Sequence, residues 1–529
     1  MGQIAAPEFD APQAAPAADG SGMREKHAHA GVAMAVATLA MGLASGIQAL
    51  LYLSSFGING RTDGFFIAFA LYSSFGVFSQ SIRVTSAPLL VGRKPRLTPT
   101  ELGLALGAIA IPVALATIPL AGPLAALLAP GLGEAGRGTT EAALPILGGA
   151  MILQLWAAGA ATLLAVRDRF DRIAFSYIAG AGAGLVVYLV ASQFAGELSL
   201  GWSMLAMAVV TSSVMFDGLR ASRTRGAGLR IAGGVRRAFR CIWMVLSSTA
   251  VYLAFNCLYV ITLAFASKYG AGGATVLSYA YLFASYLVAA TGFALGMSRI
   301  ADMTRSATIS GRELISDTVP GGFRYSMLLV APALGALIAG GATLIGEVLP
   351  ASFDPSQVEQ LRVFTALLCA WTVAALLVNL LLPALFALGR TRLVNGLAPV
   401  VVLLHAAVTA LGGVLFGVNG VVGAFCIVPA AFAGVLLLAG AGRGWPSIAR
   451  ELARDGLRFA VCATAAFGLG FLVATSFFDG IVAPLVAMTI GAGLYGLTSN
   501  QLAPRQIRLL LGAVRPSSAE PQAPAGEAA

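Results

Sequence analysis

Runs of twenty or more mostly apolar residues follow one another along nearly the whole chain. Short segments rich in Gly, Pro, Arg and Asp separate them. About 20 apolar residues in a helix cross a hydrocarbon core about 30 Å thick. In lipid the backbone has only itself to bond to, so each run is predicted to be a helix. The pattern places spans at 31–53, 63–90, 101–129, 140–166, 171–195, 199–218, 239–267, 273–298, 319–349, 359–388, 393–416, 419–441, 457–477 and 480–503. The fold class is therefore an all-α integral membrane protein of about fourteen transmembrane helices.

An internal repeat divides these spans. At an offset of 212, the start of the second span, GRTDGFFIAFALYSS (60–74), overlies GGATVLSYAYLFASY (272–286). Gly60 then pairs with Gly272, Ala68 with Ala280, Phe69 with Tyr281 and Ser73 with Ser285. Two six-helix halves, 31–218 and 239–441, are expected to be related by a pseudo-two-fold, with residues 442–503 adding two helices. A substrate cavity between two such halves is a common transporter design. Residues 219–238 form a basic loop, and the tails 1–30 and 504–529, rich in Ala, Pro and Gly, read as disordered. The first apolar run follows a polar tail and is as long as a span, which reads as a retained helix and not a cleaved signal peptide.

Charge tests this layout. Only 11% of the 529 residues are charged, against about 25% in soluble proteins. With the N-terminus placed in the cytoplasm, Arg61, Arg137, Lys268 and Arg362 fall outside and Arg83 inside a span. The rest of the 33 basic residues fall on the cytoplasmic side. This bias supports an even number of spans and two cytoplasmic termini. It also accounts for the net charge of +10. The basic loop then faces anionic membrane lipids and not nucleic acid. The five cysteines, Cys241, Cys257, Cys369, Cys426 and Cys462, lie in apolar runs without metal-ligand spacing. They read as small buried hydrophobes, with no metal and no disulfide.

Ionisable and amide groups within the spans are few, and such groups often face a cavity. Arg83 lies deep in the second span, with Gly76, Ser79, Gln80 and Ser86 at three- and four-residue spacing on its face. A guanidinium on a polar stripe suits a phosphate headgroup, though the side chain could instead snorkel to the interface. Asp63, at the start of that span, fits either a gate or a cap on its own helix dipole. Asn256 and Asn379 could hold a cation or cross-link helices. His405 could relay protons or be a satisfied buried ring. Asp217 and Glu347 lie at span ends and are expected to meet water. Five GxxxG pairs, including Gly180/Gly184 and Gly413/Gly417, read as close helix packing. No nucleophile constellation, Walker loop or HExxH is present, so no cofactor and no ATP-driven step is expected in this chain.

Residues 59–90, NGRTDGFFIAFALYSSFGVFSQSIRVTSAPLL, resemble the second helix of the MurJ (MviN) family of lipid II flippases, in the MOP exporter superfamily. That family shows a T-D-A-F-F-x-A-F stretch followed by F-S-Q. Here these are Thr62, Asp63, Gly64, Phe65, Phe66, Ala68 and Phe69, then Phe78, Ser79 and Gln80. LSYAYLFASYLVAATGFALG is similar to the family's eighth helix. LLLPALFALGRTRLVNGLAPV is similar to the proline, aromatic and short basic turn of its tenth and eleventh. The family's first-helix arginines, its Arg-Arg pair with a Glu in the second helix, and its eighth-helix arginine are missing. Arg83 matches no family position and could compensate for them.

The resemblance implies a flippase of the bacterial cytoplasmic (inner) membrane, not an enzyme. Its cargo would be a lipid-linked saccharide, lipid II or a polyprenyl-pyrophosphate oligosaccharide as in Wzx-type flippases, moved by alternating access. Substrate binding would fall to Arg83, Gln80 and Ser79, and gating to Asp63. A coupling cation stays open. Two alternatives stand beside it: a MATE-like cation-coupled exporter of small molecules, and a membrane scaffold that no longer transports.

Overall fold

A computed structural model describes residues 37, 40–91, 98–167, 169–221, 235–289, 291, 311–341, 354–504 and 507. Each of the fourteen predicted spans has a helical counterpart there. The N-terminal half holds α1 (Ala40–Phe56), α2 (Gly60–Val91), α3, α4 (Glu134–Val166), α5 (Phe170–Ala191) and α6 (Ser199–Ala221). Helix α3 has two arms, Pro99–Ala116 and Ala121–Leu128, set at 84°. The C-terminal half holds α7 (Val235–Ala266), α8 (Gly273–Val288), α9 (Gly311–Ala336), α10 (Pro355–Ala387), α11 (391–416) and α12 (418–441). The added pair is α13 (Trp445–Phe477) and α14 (Val482–Leu502). Eight helical segments among the described residues are long and apolar enough to span a bilayer unaided. One of them, Thr391–Phe477, contains α11, α12 and α13. The protein is a multi-pass membrane protein.

Local chemistry sets the breaks. Gly57 takes a left-handed φ of 65° and its N–H donates to Leu53 O, which ends α1. Asn59 then caps α2, its Oδ1 accepting from the N–H groups of Arg61 and Thr62. Gly417, at φ 61° and ψ −146°, separates α11 from α12. The hairpin is tight enough there that a Cβ on Gly412 would lie 2.6 Å from the Gly420 carbonyl.

The two halves repeat the same packing. Helix α2 lies on α4 as α8 lies on α10, and α5 pairs with α6 as α11 turns back onto α12 where Gly412 meets Gly420. Within the first half, Gly180 and Gly184 let α5 approach α6, where Ser203 donates to Gly184 O at 2.8 Å. Helix α7 belongs to the second half through α11, yet it also lies along α2 and α3. Its Cys241 and Val245 pack with Phe78, Ile82, Leu102 and Leu106 of the first half. The added pair docks on α9: Arg324 donates to Asp455 at 2.6 Å and to Glu451 at 2.7 Å, and Phe467 packs on Gly335.

Candidate functional site

The sharpest polar constellation lies where the N-termini of α2 and α8 meet. Helix α8 begins at Gly272, whose φ of 93° is left-handed and which has no side chain to cap the first turn. The cap comes from the other half. One Asp63 oxygen accepts from the Gly272 N–H at 2.6 Å. The other accepts from the Thr275 N–H at 2.7 Å and from the Thr275 hydroxyl at 2.6 Å. Thr275 also bonds Thr62 at 3.2 Å. Asp63 is completely buried. Its charge therefore sits on the positive end of the α8 dipole and satisfies amides that would otherwise be orphaned. Asp63 stands in the first turn of α2, where its charge complements that helix dipole as one sequence reading allowed, but it does not N-cap its own helix. Asn59 already fills that role, and the Asp63 side chain points across to α8.

The repeat gives this contact its meaning. Thr275 stands 212 residues after Asp63, so the two residues occupy the same place in the two repeats. The bond therefore joins equivalent positions of the two repeats. Three contacts surround it. Tyr279 of α8 donates to Ala49 O of α1 at 2.6 Å and packs against Phe66. Gly272 rests against Ile58. Gly131, in the turn between α3 and α4, abuts the Ser267 carbonyl and the Lys268 backbone in the turn between α7 and α8. A side chain at Gly64 or Gly136 would drive α2 from α4 just behind Asp63, where Thr140 bonds Gly64 O at 2.9 Å.

A second polar contact joins the halves deeper in the bundle. Asn256 of α7 donates to Ser74 at 2.7 Å and Ser73 at 3.3 Å on α2, and Tyr281 of α8 donates to it at 3.5 Å. Of the two roles open to Asn256, cross-linking is the one its bonds display. Asn379 instead donates to Ala375 O, four residues back in its own helix. His405 of α11 is fully buried against α7, its Nε2 lying 3.0 Å from Leu258 O, 2.9 Å from Thr262 and 3.3 Å from Thr409. Ser79 is buried and donates to Gly76 O in its own helix. Arg83 and Gln80 lie in α2, but their side chains fall outside the described residues, as does Glu347. Asp217 is exposed at the end of α6.

Sequence reasoning missed Thr275, Asn59 and the three oxygens around His405. The offset of 212 pointed directly at Thr275, since it lays that residue over Asp63.

No protein-family model matches the chain, and no curated protein matches it in sequence. Solved structures do match. A lipid II flippase MurJ in an inward closed conformation superposes with a TM-score of 0.68 at 14% identity, over 90% of this chain and 100% of that one. An inward-facing multidrug resistance MATE family transporter of the MOP superfamily gives 0.58 at 15% identity, over 79% of this chain and 99% of that one. A MOP superfamily transporter from Pyrococcus furiosus gives 0.57 at 14% identity, over 79% and 96%. The chain thus has the fold of the MurJ and MATE transporters of the MOP superfamily.

Proposed function

We propose that this protein is a flippase that carries a lipid-linked saccharide across the cytoplasmic membrane by alternating access. The observation that carries the reading is the Asp63 cap on α8. It is a polar closure between the halves, at equivalent positions of the two repeats, and it can be made and broken without disturbing either helix ladder. The bias of basic residues puts this end outside and both termini in the cytoplasm. The closed cap then seals the outer side, and its loss opens the path outward.

Arg83, Gln80 and Ser79 are the proposed headgroup contacts, further along α2 toward the cytoplasm. A guanidinium forks onto phosphate oxygens, and a pyrophosphate-linked cargo supplies them. A cation-coupled exporter of small molecules is the second reading. The fold favours it nearly as well, since the MATE transporter shares it over 79% of this chain.

Mass spectrometry of lipids that co-purify with the wild type and with Arg83→Ala tests the cargo. A polyprenyl-pyrophosphate saccharide enriched on the wild type and lost from the variant supports the flippase. Bulk phospholipid alone on both would withdraw it in favour of the exporter.

A further inference from the structure

His405 is not needed for the outer cap, yet it is the one described histidine buried in the bundle, and its two ring nitrogens stand in opposite situations. Three oxygens converge on Nε2: Leu258 O, Thr262 Oγ1 and Thr409 Oγ1. The Thr262 hydroxyl already donates to Leu258 O at 2.7 Å, so its oxygen accepts from the ring. A carbonyl can only accept. Nε2 therefore carries the proton. Nδ1 then has a bare lone pair, and it is buried with no partner among the described residues. The edge of Phe425 lies nearby, ring centroids 5.9 Å apart.

This packing accommodates only the neutral ring. A proton added at Nδ1 would create a buried charge and an N–H without an acceptor, which burial penalises. The titratable side chains around Phe425, the ring that meets His405, are Tyr259 of α7 and Tyr281 of α8, with Cys426 next to it in α12. The two tyrosines stack on each other at 3.8 Å, and the Cys426 thiol donates to Leu367 O. Helices α9 and α13 also pack on α12; of their charged groups, Arg324 of α9 is bonded to Glu451 and Asp455 of α13. Arg362 of α10 pairs with Glu359. No acidic side chain among the described residues bonds the ring, so no counter-charge stabilises a protonated state here.

The ring also sits one helical turn from the contact between halves. The α7 segment 256–262 gives Asn256 to Ser73 and Ser74 of α2, and gives Leu258 O and Thr262 to His405. Loosening α11 from α7 at this level therefore acts on the same turn that holds α7 to α2. Asn395 of α11 bonds Ser247 O of α7 further down, so the two helices are laced together at two levels.

We propose that His405 is the coupling-proton site of this transporter: a proton taken up at Nδ1 leaves the Nε2–H bond in place but puts a charge and an unpaired N–H into the packed bundle, which favours the arrangement in which α7 and α11 part and the halves leave the closed form. The inference rests on the transporter reading above and adds its energy source, a proton gradient. The charge is stable only where α7 and α11 part and water reaches the ring. Proton binding and the open form thus favour each other, and the linkage is reciprocal.

Hydrogen exchange of the full-length protein in lipid nanodiscs tests this without any cargo. Exchange is compared at about pH 5.5 and about pH 7.5, corrected for intrinsic rates, a window that spans histidine titration. In the wild type, protection of peptides covering 256–262 and 272–278 should fall by about tenfold or more at the lower pH. In His405→Gln the amide still donates to Leu258 O but cannot titrate, so protection should be high and equal at both pH values. His405→Asn, a shorter neutral amide, serves if the first variant does not fold. A pH-dependent loss of protection that persists in the neutral variant, or its absence in the wild type, overturns the proposal. Lipid co-purification is read separately, so failure of the saccharide reading leaves this result standing and the reverse also holds.

Discussion

Asp63→Asn isolates the charge of the cap from its volume. The carboxylate accepts three hydrogen bonds, at 2.6, 2.7 and 2.6 Å. An asparagine in the same rotamer keeps one oxygen, which can still take the Thr275 N–H and hydroxyl. Its amide nitrogen would then face the Gly272 N–H, donor against donor. One charge-assisted bond is lost and the two that remain become neutral. A hydrogen bond to a charged group contributes about 1.5–3 kcal/mol, and a neutral one about 0.5–1.5 kcal/mol. Bonds to a single side chain are not additive, so a cost of about 2–4 kcal/mol is expected. All of that cost falls on the closed form, because the cap exists only there. The open population should therefore rise by roughly 30- to 700-fold, at about 1.4 kcal/mol per factor of ten. Hydrogen exchange at Gly272 and Thr275, measured at neutral pH, reads this directly. Overall thermal stability should move far less, since neither half loses a contact within itself. If the two amides stay as protected in Asp63→Asn as in the wild type, Asp63 is not an anionic cap and its gating role falls.

Two further variants probe the surroundings. Gly131→Val pushes a side chain into the Ser267 carbonyl and the Lys268 backbone, where backbone cannot yield cheaply; it should raise exchange in the α7–α8 turn while leaving α13–α14 as protected as before. Arg324→Ala leaves Asp455, only 7% exposed at its side chain, with the more distant Arg454, 3.9 Å away, in place of the 2.6 Å Arg324 bond. Removing one partner of a buried pair costs about 3–5 kcal/mol, and the partly exposed Arg324 brings that nearer to about 2–3 kcal/mol here; differential scanning fluorimetry should show Tm lowered by several degrees, and unchanged Tm would mean that the added pair is held by apolar packing alone.

Hydrophobic runs and charge bias together made the helical layout readable, because the bilayer forces both. The break at Gly417 illustrates the strength of that signal: the residues FGVNG divide the long apolar stretch 391–441 in sequence, and Gly417 there takes a non-helical φ of 61° and ψ of −146°. The candidate site was legible only in part. Asp63 stood out as a lone carboxylate at a span start, but its partner is 212 residues away, and a helix start normally takes its cap from the residue just before it. Here Asn59 fills that local position and frees Asp63 to reach α8. His405 showed the same limit. The residues that fix its tautomer lie on α7, and only packing brings them to it. Asn379 failed in the opposite direction: an apolar setting suggested an unusual partner, and the amide simply bonds the carbonyl one turn back.

The repeat also explains why the closure needs unlike residues. Asp63 and Thr275 hold the same place in their halves, so perfect symmetry would bring two aspartates or two threonines together. Two carboxylates there would repel and leave both charges buried. Two threonines would offer hydroxyls but no acceptor able to serve the three donors at the α8 start. One carboxylate facing a threonine and a glycine N-cap resolves this, and only α8 then needs a partner from outside its half. Asn59 lets α2 cap itself, whereas Gly272 leaves α8 uncapped until the halves meet. If the cap gates as proposed, closure of the two halves and completion of the first turn of α8 are one event, which makes the seal a two-state contact and not a graded one.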